Sequence, residues 1–73
     1  MAFSKRHGGP YDRGDADAHY KRTFRPHYYK GATYMSQRVE ITDENSPEHR
    51  AYAAGYYGYV IANQAESLDN QNG

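Results

Sequence analysis

Cysteine is absent from the chain, so neither a disulfide nor a thiolate metal site can staple the fold. Bulky apolar side chains are nearly as scarce. Phe3, Phe24, Val39, Ile41, Val60, Ile61 and Leu68 are seven of 73 residues, well under the roughly 20% below which disorder is the expectation. No run approaches the ~20 apolar residues that span a bilayer, and the first ten residues lack the apolar segment of a secretory signal. A soluble cytoplasmic protein with no membrane partner is expected. The formal net charge is zero, which argues against a uniformly basic nucleic-acid-coating chain.

Nine tyrosines are what the chain has instead. A tyrosine buries a large area while its hydroxyl stays hydrated, so a tyrosine-built core suits a single small domain, and the same rings suit an interface. The zero net charge also hides a division. Residues 1–30 carry seven cations against Asp12, Asp15 and Asp17, a balance of +4, while residues 31–73 carry Arg38 and Arg50 against six carboxylates, a balance of −4. Such asymmetry marks either a polyanion-facing end or two halves that attract each other.

The strongest local signal starts at Ser46. Its hydroxyl can cap the free amides of a first helical turn, Pro47 suits the first position, and Glu48 complements the helix dipole. A helix is expected from there to about Ala65. Along it Ala51, Gly55, Gly58, Ala62 and Ala65 recur at steps of four and three, a flat stripe bordered by Tyr52, Tyr56 and Tyr59. Two glycines inside a helix cost about 1 kcal/mol each relative to alanine, so a close backbone approach is expected there. Ala51, Tyr52, Gly55, Tyr56, Gly58 and Tyr59 form the candidate protein-docking face. The competing reading, in line with the general habit of helical stripes, is that the chain's own N-terminal half covers it. A second copy meeting the stripe as a homodimer is a third option.

Before that helix, residues 1–10 read as a flexible leader. Tyr11 to about Arg22 offers one or two helical turns with Asp15 as N-cap, ended before Arg25 by Pro26. His27 to Tyr29, a Lys30-Gly31-Ala32 turn and Thr33 to Thr42 read as a hairpin, the second arm alternating Met35, Gln37, Val39 and Ile41 on one face. Two strands alone are marginal in water, so they must lie on the late helix. Residues 66–73 are polar and expected to be flexible. The fold class is thus small α+β: a short N-terminal helix, a two-stranded hairpin and one main C-terminal helix, within a domain of residues 11–65 between disordered termini.

No catalytic centre is expected. Ser4, Ser36, Ser46 and Ser67 lack an elbow-like glycine context, and Asp15, Asp17 and His19 are a weak metal pattern without converging partners. Gly8-Gly9 and the helical GYYG lack the strand, lysine and spacing of a phosphate-binding loop. No cofactor and no metal are expected. A stronger pattern interleaves cations and rings over Tyr20 to Lys30. Cations pair with phosphates while rings stack on unpaired bases, so Arg13, Lys21, Arg22, Arg25, Tyr28, Tyr29 and Lys30 form the alternative, RNA-facing set. The competing reading is that these cations answer the acidic half of the same fold.

These residues also carry a resemblance. Asp12-Arg13-Gly14, Ala16-Asp17-Ala18-His19-Tyr20, Arg22, Pro26-His27, Ala51-Tyr52 and Ala54-Gly55-Tyr56 resemble a family of short uncharacterised proteins of tailed bacteriophages and prophages, over about Tyr11 to Tyr57. His19 departs from it, standing where the family commonly has tyrosine, as does the Asn-rich tail. The resemblance implies a phage accessory protein that binds a host or phage protein in the bacterial cytoplasm. Arg50-Ala51-Tyr52, Gly55-Tyr56 and Gly58 are more faintly similar to one helix of the ribosome modulation factor family, which implies the ribosome or RNA as the alternative partner. The strong positive charge of that family is missing here.

Overall fold

Proline at a first helical turn sacrifices no hydrogen bond, and the chain begins both of its helices that way. The computed structural model describes residues 4–33 and 35–72, with side chains as far as Gln64. Helix α1 spans Pro10–His19 and helix α2 spans Pro47–Asn72, with strands β1 (His27–Tyr29) and β2 (Arg38–Glu40) between them. The protein is therefore a small α+β fold: a short helix, an antiparallel two-stranded hairpin and a main C-terminal helix.

Helix α2 starts as its sequence dictates. Ser46 Oγ accepts the His49 N–H at 3.1 Å, and Glu48 sits in the first turn. The helix passes the expected end near Ala65 and continues to Asn72. Helix α1 starts six residues earlier than an Asp15 cap would place it. Gly9 holds the N-cap position in extended geometry without a side-chain cap, and Asp12 lies in the first turn. The Asp12 carboxylate reaches back to accept the Gly8 N–H at 2.9 Å, which fastens the residue before the N-cap to the first turn. Asp15 lies mid-helix and exposed.

The end of α1 is specific. Lys21 N–H donates to Ala18 O at 3.0 Å and Arg22 N–H to Asp17 O at 2.7 Å, the paired bonds of a Schellman ending. That ending needs a left-handed residue, and Lys21 supplies it with φ 59. Lysine there carries a steric cost that glycine would avoid.

The helices meet backbone to backbone at two glycines. A Cβ on Gly14 would strike the Tyr52 carbonyl oxygen, and one on Gly55 would strike the Tyr11 carbonyl oxygen. The close approach buries Ala18 and Ala51 and leaves Tyr52 0% exposed. Phe24, in the α1–β1 connection, stands edge-on to Tyr52 and Tyr56 at 5.2 and 5.3 Å and stacks on Tyr57 at 5.3 Å. The core is thus made of rings over a small-residue crossing, as a chain with few aliphatics requires.

In the hairpin, His27 faces Glu40, Tyr28 faces Val39 and Tyr29 faces Arg38. The second arm is shorter than the alternation from Thr33 to Thr42 suggests, for two reasons. Pro26 has no N–H to extend β1, and Thr33 and Ser36 divert the connection into a turn. Ser36 Oγ donates to Thr33 O at 2.6 Å and accepts the Gly31 N–H at 2.9 Å, local bonds that compete with a ladder. Met35 is 89% exposed there, and Tyr34 lies outside the described residues. The expected flexible leader is docked in part: Tyr29 N–H donates to Gly8 O at 2.8 Å and Arg6 Nη2 to Tyr29 O at 2.8 Å. Residues 1–3 lie outside the described residues.

Candidate functional site

Arg13 and Asp17 are four apart on α1, so they stack along one side of the helix beside the face that carries Gly14 and Ala18. That offset turns Asp17 inward, where it is 4% exposed. Its Oδ1 takes Arg13 Nη2 at 3.5 Å and Arg22 Nη1 at 3.4 Å. Its Oδ2 accepts the Tyr52 hydroxyl at 2.5 Å. The same hydroxyl accepts the Arg25 N–H at 3.2 Å. One carboxylate therefore ties α1, the α1–β1 connection and α2 together.

His27, at the start of β1, completes the cluster and is 2% exposed. Its Nδ1 lies 2.8 Å from the Arg25 carbonyl oxygen and so carries the ring proton. Its Nε2 then accepts the Arg13 Nε–H at 3.3 Å. Burial holds the His27 pKa below its ordinary 6.5, the bond to Arg25 working against that shift. The ring is neutral at pH 7. For Tyr52, burial first and the bond to Asp17 second push the hydroxyl's pKa upward, so it stays a donor.

Two exposed features surround this buried cluster. Over it lies a cleft of about 440 Å³ into which Arg13, Arg22, Arg25 and Arg38 project with Tyr29. A second concavity of about 530 Å³, mostly apolar, lies between the end of α1 and the outer part of α2, against Ala18, His19, Tyr59 and Val60. The two share no residue. Beyond the helix crossing, α2 exposes Tyr57 at 51% and Ile61 at 64%, and among the described residues a Cβ on Gly58 would meet nothing within 4 Å.

The structure divides the expected docking face. Ala51, Tyr52 and Gly55 are buried against α1 and are not a surface. Tyr56 is half-buried, its hydroxyl donating to Arg22 O at 2.5 Å. Tyr59 is half-buried with its hydroxyl 2.8 Å from His19 Nδ1. Gly58 alone of the six is open. The intramolecular reading of the stripe thus holds for its first half.

The expected RNA-facing set is divided as well. Arg13, Arg22, Arg25 and Tyr29 share the arginine cleft. Lys21 instead lines the apolar concavity, because its left-handed backbone turns the chain. Tyr28 points to the other face of β1 from His27 and Tyr29, whose rings are 5.6 Å apart. Lys30 is exposed past the strand end and does not line the cleft. Two members were missing from the sequence reading. Arg38 reaches the cleft because the register sets it opposite Tyr29, and Asp17 is its floor. The Arg13–Asp17 spacing was the available signal for the second, and nothing local signalled the first.

Asp15, Asp17 and His19 do not converge: Asp17 points into the core while Asp15 and His19 are exposed. Among the described residues no group of three or more His, Asp or Glu side chains is placed to hold a metal ion. No helix among them is long and apolar enough to cross a membrane. Compared with protein-family models, with curated proteins and with solved structures, the chain matches none.

Proposed function

We propose that this is a small non-enzymatic accessory protein of a bacteriophage, which binds and modulates a host or phage protein in the bacterial cytoplasm. The observation that carries the binding is the outer part of α2, where Tyr57 and Ile61 are exposed beside an open Gly58. Gly55 has an intramolecular reason to be glycine, namely α1. Gly58 has none among the described residues, yet it costs the helix about 1 kcal/mol relative to alanine. A partner backbone approaching Gly58, beside the exposed Tyr57 and Ile61, supplies that reason. The phage assignment rests on the sequence resemblance. The non-enzymatic reading is supported by the buried polar cluster, whose Asp17, His27 and Tyr52 spend their hydrogen bonds on holding segments together.

The test is capture from bacterial lysate by the wild-type chain and by Ile61→Asp and Gly58→Leu variants, each with and without RNase. A protein retained by the wild type after RNase and lost with both variants, each folded by circular dichroism, is the expected result. Identical capture by all three chains, or complete loss of captured protein on RNase treatment, overturns the reading.

A further inference from the structure

The arginine cleft holds more positive charge than its fold consumes. Four guanidiniums enter it, against the carboxylates of Asp17 and Glu40. Arg38 is spoken for, donating to Glu40 at 2.9 Å. Arg13 and Arg22 share a single oxygen of Asp17 at 3.5 and 3.4 Å, well beyond the 2.7–2.9 Å of a tight guanidinium–carboxylate bond. Arg25 is exposed and its guanidinium meets no acceptor among the described residues. His27 beneath them is buried and both its ring nitrogens are occupied.

The excess sits over a dry floor, since Asp17 and His27 are 4% and 2% exposed, and a concave low-dielectric wall strengthens the field of the charges above it. The cleft is also longer than one anion needs. It continues through Arg13, Arg22 and Tyr29 into a second hollow of about 440 Å³ that ends at Tyr20. Along that path cations alternate with rings. The Arg13 guanidinium lies 5.4 Å from the Tyr29 ring centre, and that of Arg22 lies 5.0 Å from the Tyr20 ring, which is 64% exposed. Guanidiniums with spare donors take phosphate oxygens, and an exposed ring at the end of the same path takes an unpaired base.

We infer that the groove running from Arg25 and Arg38 past Arg22 to Tyr20 binds the phosphate backbone of single-stranded nucleic acid, with a base stacked on Tyr20. The groove shares no residue with Tyr57, Gly58 and Ile61, so loss of one kind of binding leaves the other measurable.

Fluorescence anisotropy with labelled single-stranded RNA and DNA of about twelve nucleotides tests it. The full chain is titrated from about 50 mM salt upward, beside Arg25→Gln, Tyr20→Ala and, as an off-groove cation, Lys30→Gln. The wild type is expected to bind, with affinity falling linearly in log salt. Arg25→Gln weakens binding several-fold and flattens the salt slope by about 0.7, one phosphate's share. Tyr20→Ala weakens it at unchanged slope, and Lys30→Gln matches the wild type. Absence of binding at the lowest salt overturns the inference. So does equal weakening by Arg25→Gln and Lys30→Gln, and so does saturable binding of inorganic phosphate or a phosphoserine peptide, read by calorimetry, to a chain that binds no oligonucleotide, which would make this a single-anion pocket.

Discussion

Tyr52 on α2 donates its hydroxyl to Asp17 on α1 at 2.5 Å, and the pair is the joint between the two helices. Both residues are almost wholly buried. Tyr52→Phe keeps the ring and removes the donor, leaving Asp17 Oδ2 and the Arg25 N–H each short of a partner. A buried group so orphaned costs about 1–3 kcal/mol. Thermal denaturation of the variant should show a clear loss, and an unchanged midpoint would mean that the hydroxyl does not bind the helices together.

Gly55 and Gly58 are three residues apart on α2 and should respond in opposite directions to alanine. At Gly55 the new methyl meets the Tyr11 backbone, and forcing the helices apart costs about 1–3 kcal/mol. At Gly58 it meets nothing among the described residues, so Gly58→Ala should stabilise the isolated protein by about 1 kcal/mol through helix propensity. Chemical denaturation of both variants checks the pair of signs.

Lys21 is the left-handed residue that ends α1. Lys21→Gly removes its steric cost while keeping the Schellman bonds, and a gain of about 1 kcal/mol is expected. A loss of stability would show that the lysine side chain contributes packing in the apolar concavity that outweighs the strain.

Stability should fall as solution is acidified below neutrality. His27 has a folded-state pKa below its ordinary 6.5 because it is buried, so the unfolded chain binds the proton more readily than the folded one. Its contribution is complete above about pH 6.5, shrinks as pH falls through the interval down to the lowered folded pKa, and is constant below that. His27→Asn costs stability at every pH but should flatten this part of the curve. Urea denaturation at closely spaced pH values between about 7 and 5 reads the slope directly.

Much of the fold was legible locally. The Ser46-Pro47-Glu48 start of α2 and the existence of a hairpin follow from caps and alternation, which act over a few residues. The errors were also local in origin. Asp15 is a good N-cap by type, but Pro10 had already begun the helix, with Gly9 at the N-cap and Asp12 tying Gly8 to the first turn. Thr33 to Thr42 alternates well, but a strand lasts only as long as its neighbour, and Pro26 on one side and the turn tied by Thr33 and Ser36 on the other hold that neighbour to three residues.

The candidate sites were harder to read, because each residue had two uses that differ only in what stands across from it. Tyr52 and Tyr57 are the same residue type on the same helix, and one is wholly buried while the other is half exposed. Arg25 and Lys30 are both cations of one basic segment, and only Arg25 enters the cleft.

By itself, then, the order of residues determined where the main helix begins, which segments pair as strands, and that any core had to be built from tyrosine rings over small residues. Only the tertiary structure decided that Gly14 and Gly55 meet, that Asp17 is buried beneath three arginines, and that Arg38 joins them from the far strand. Caps and periodicity are energies between near neighbours along the chain, whereas the burial of a carboxylate depends on groups that folding alone brings within reach.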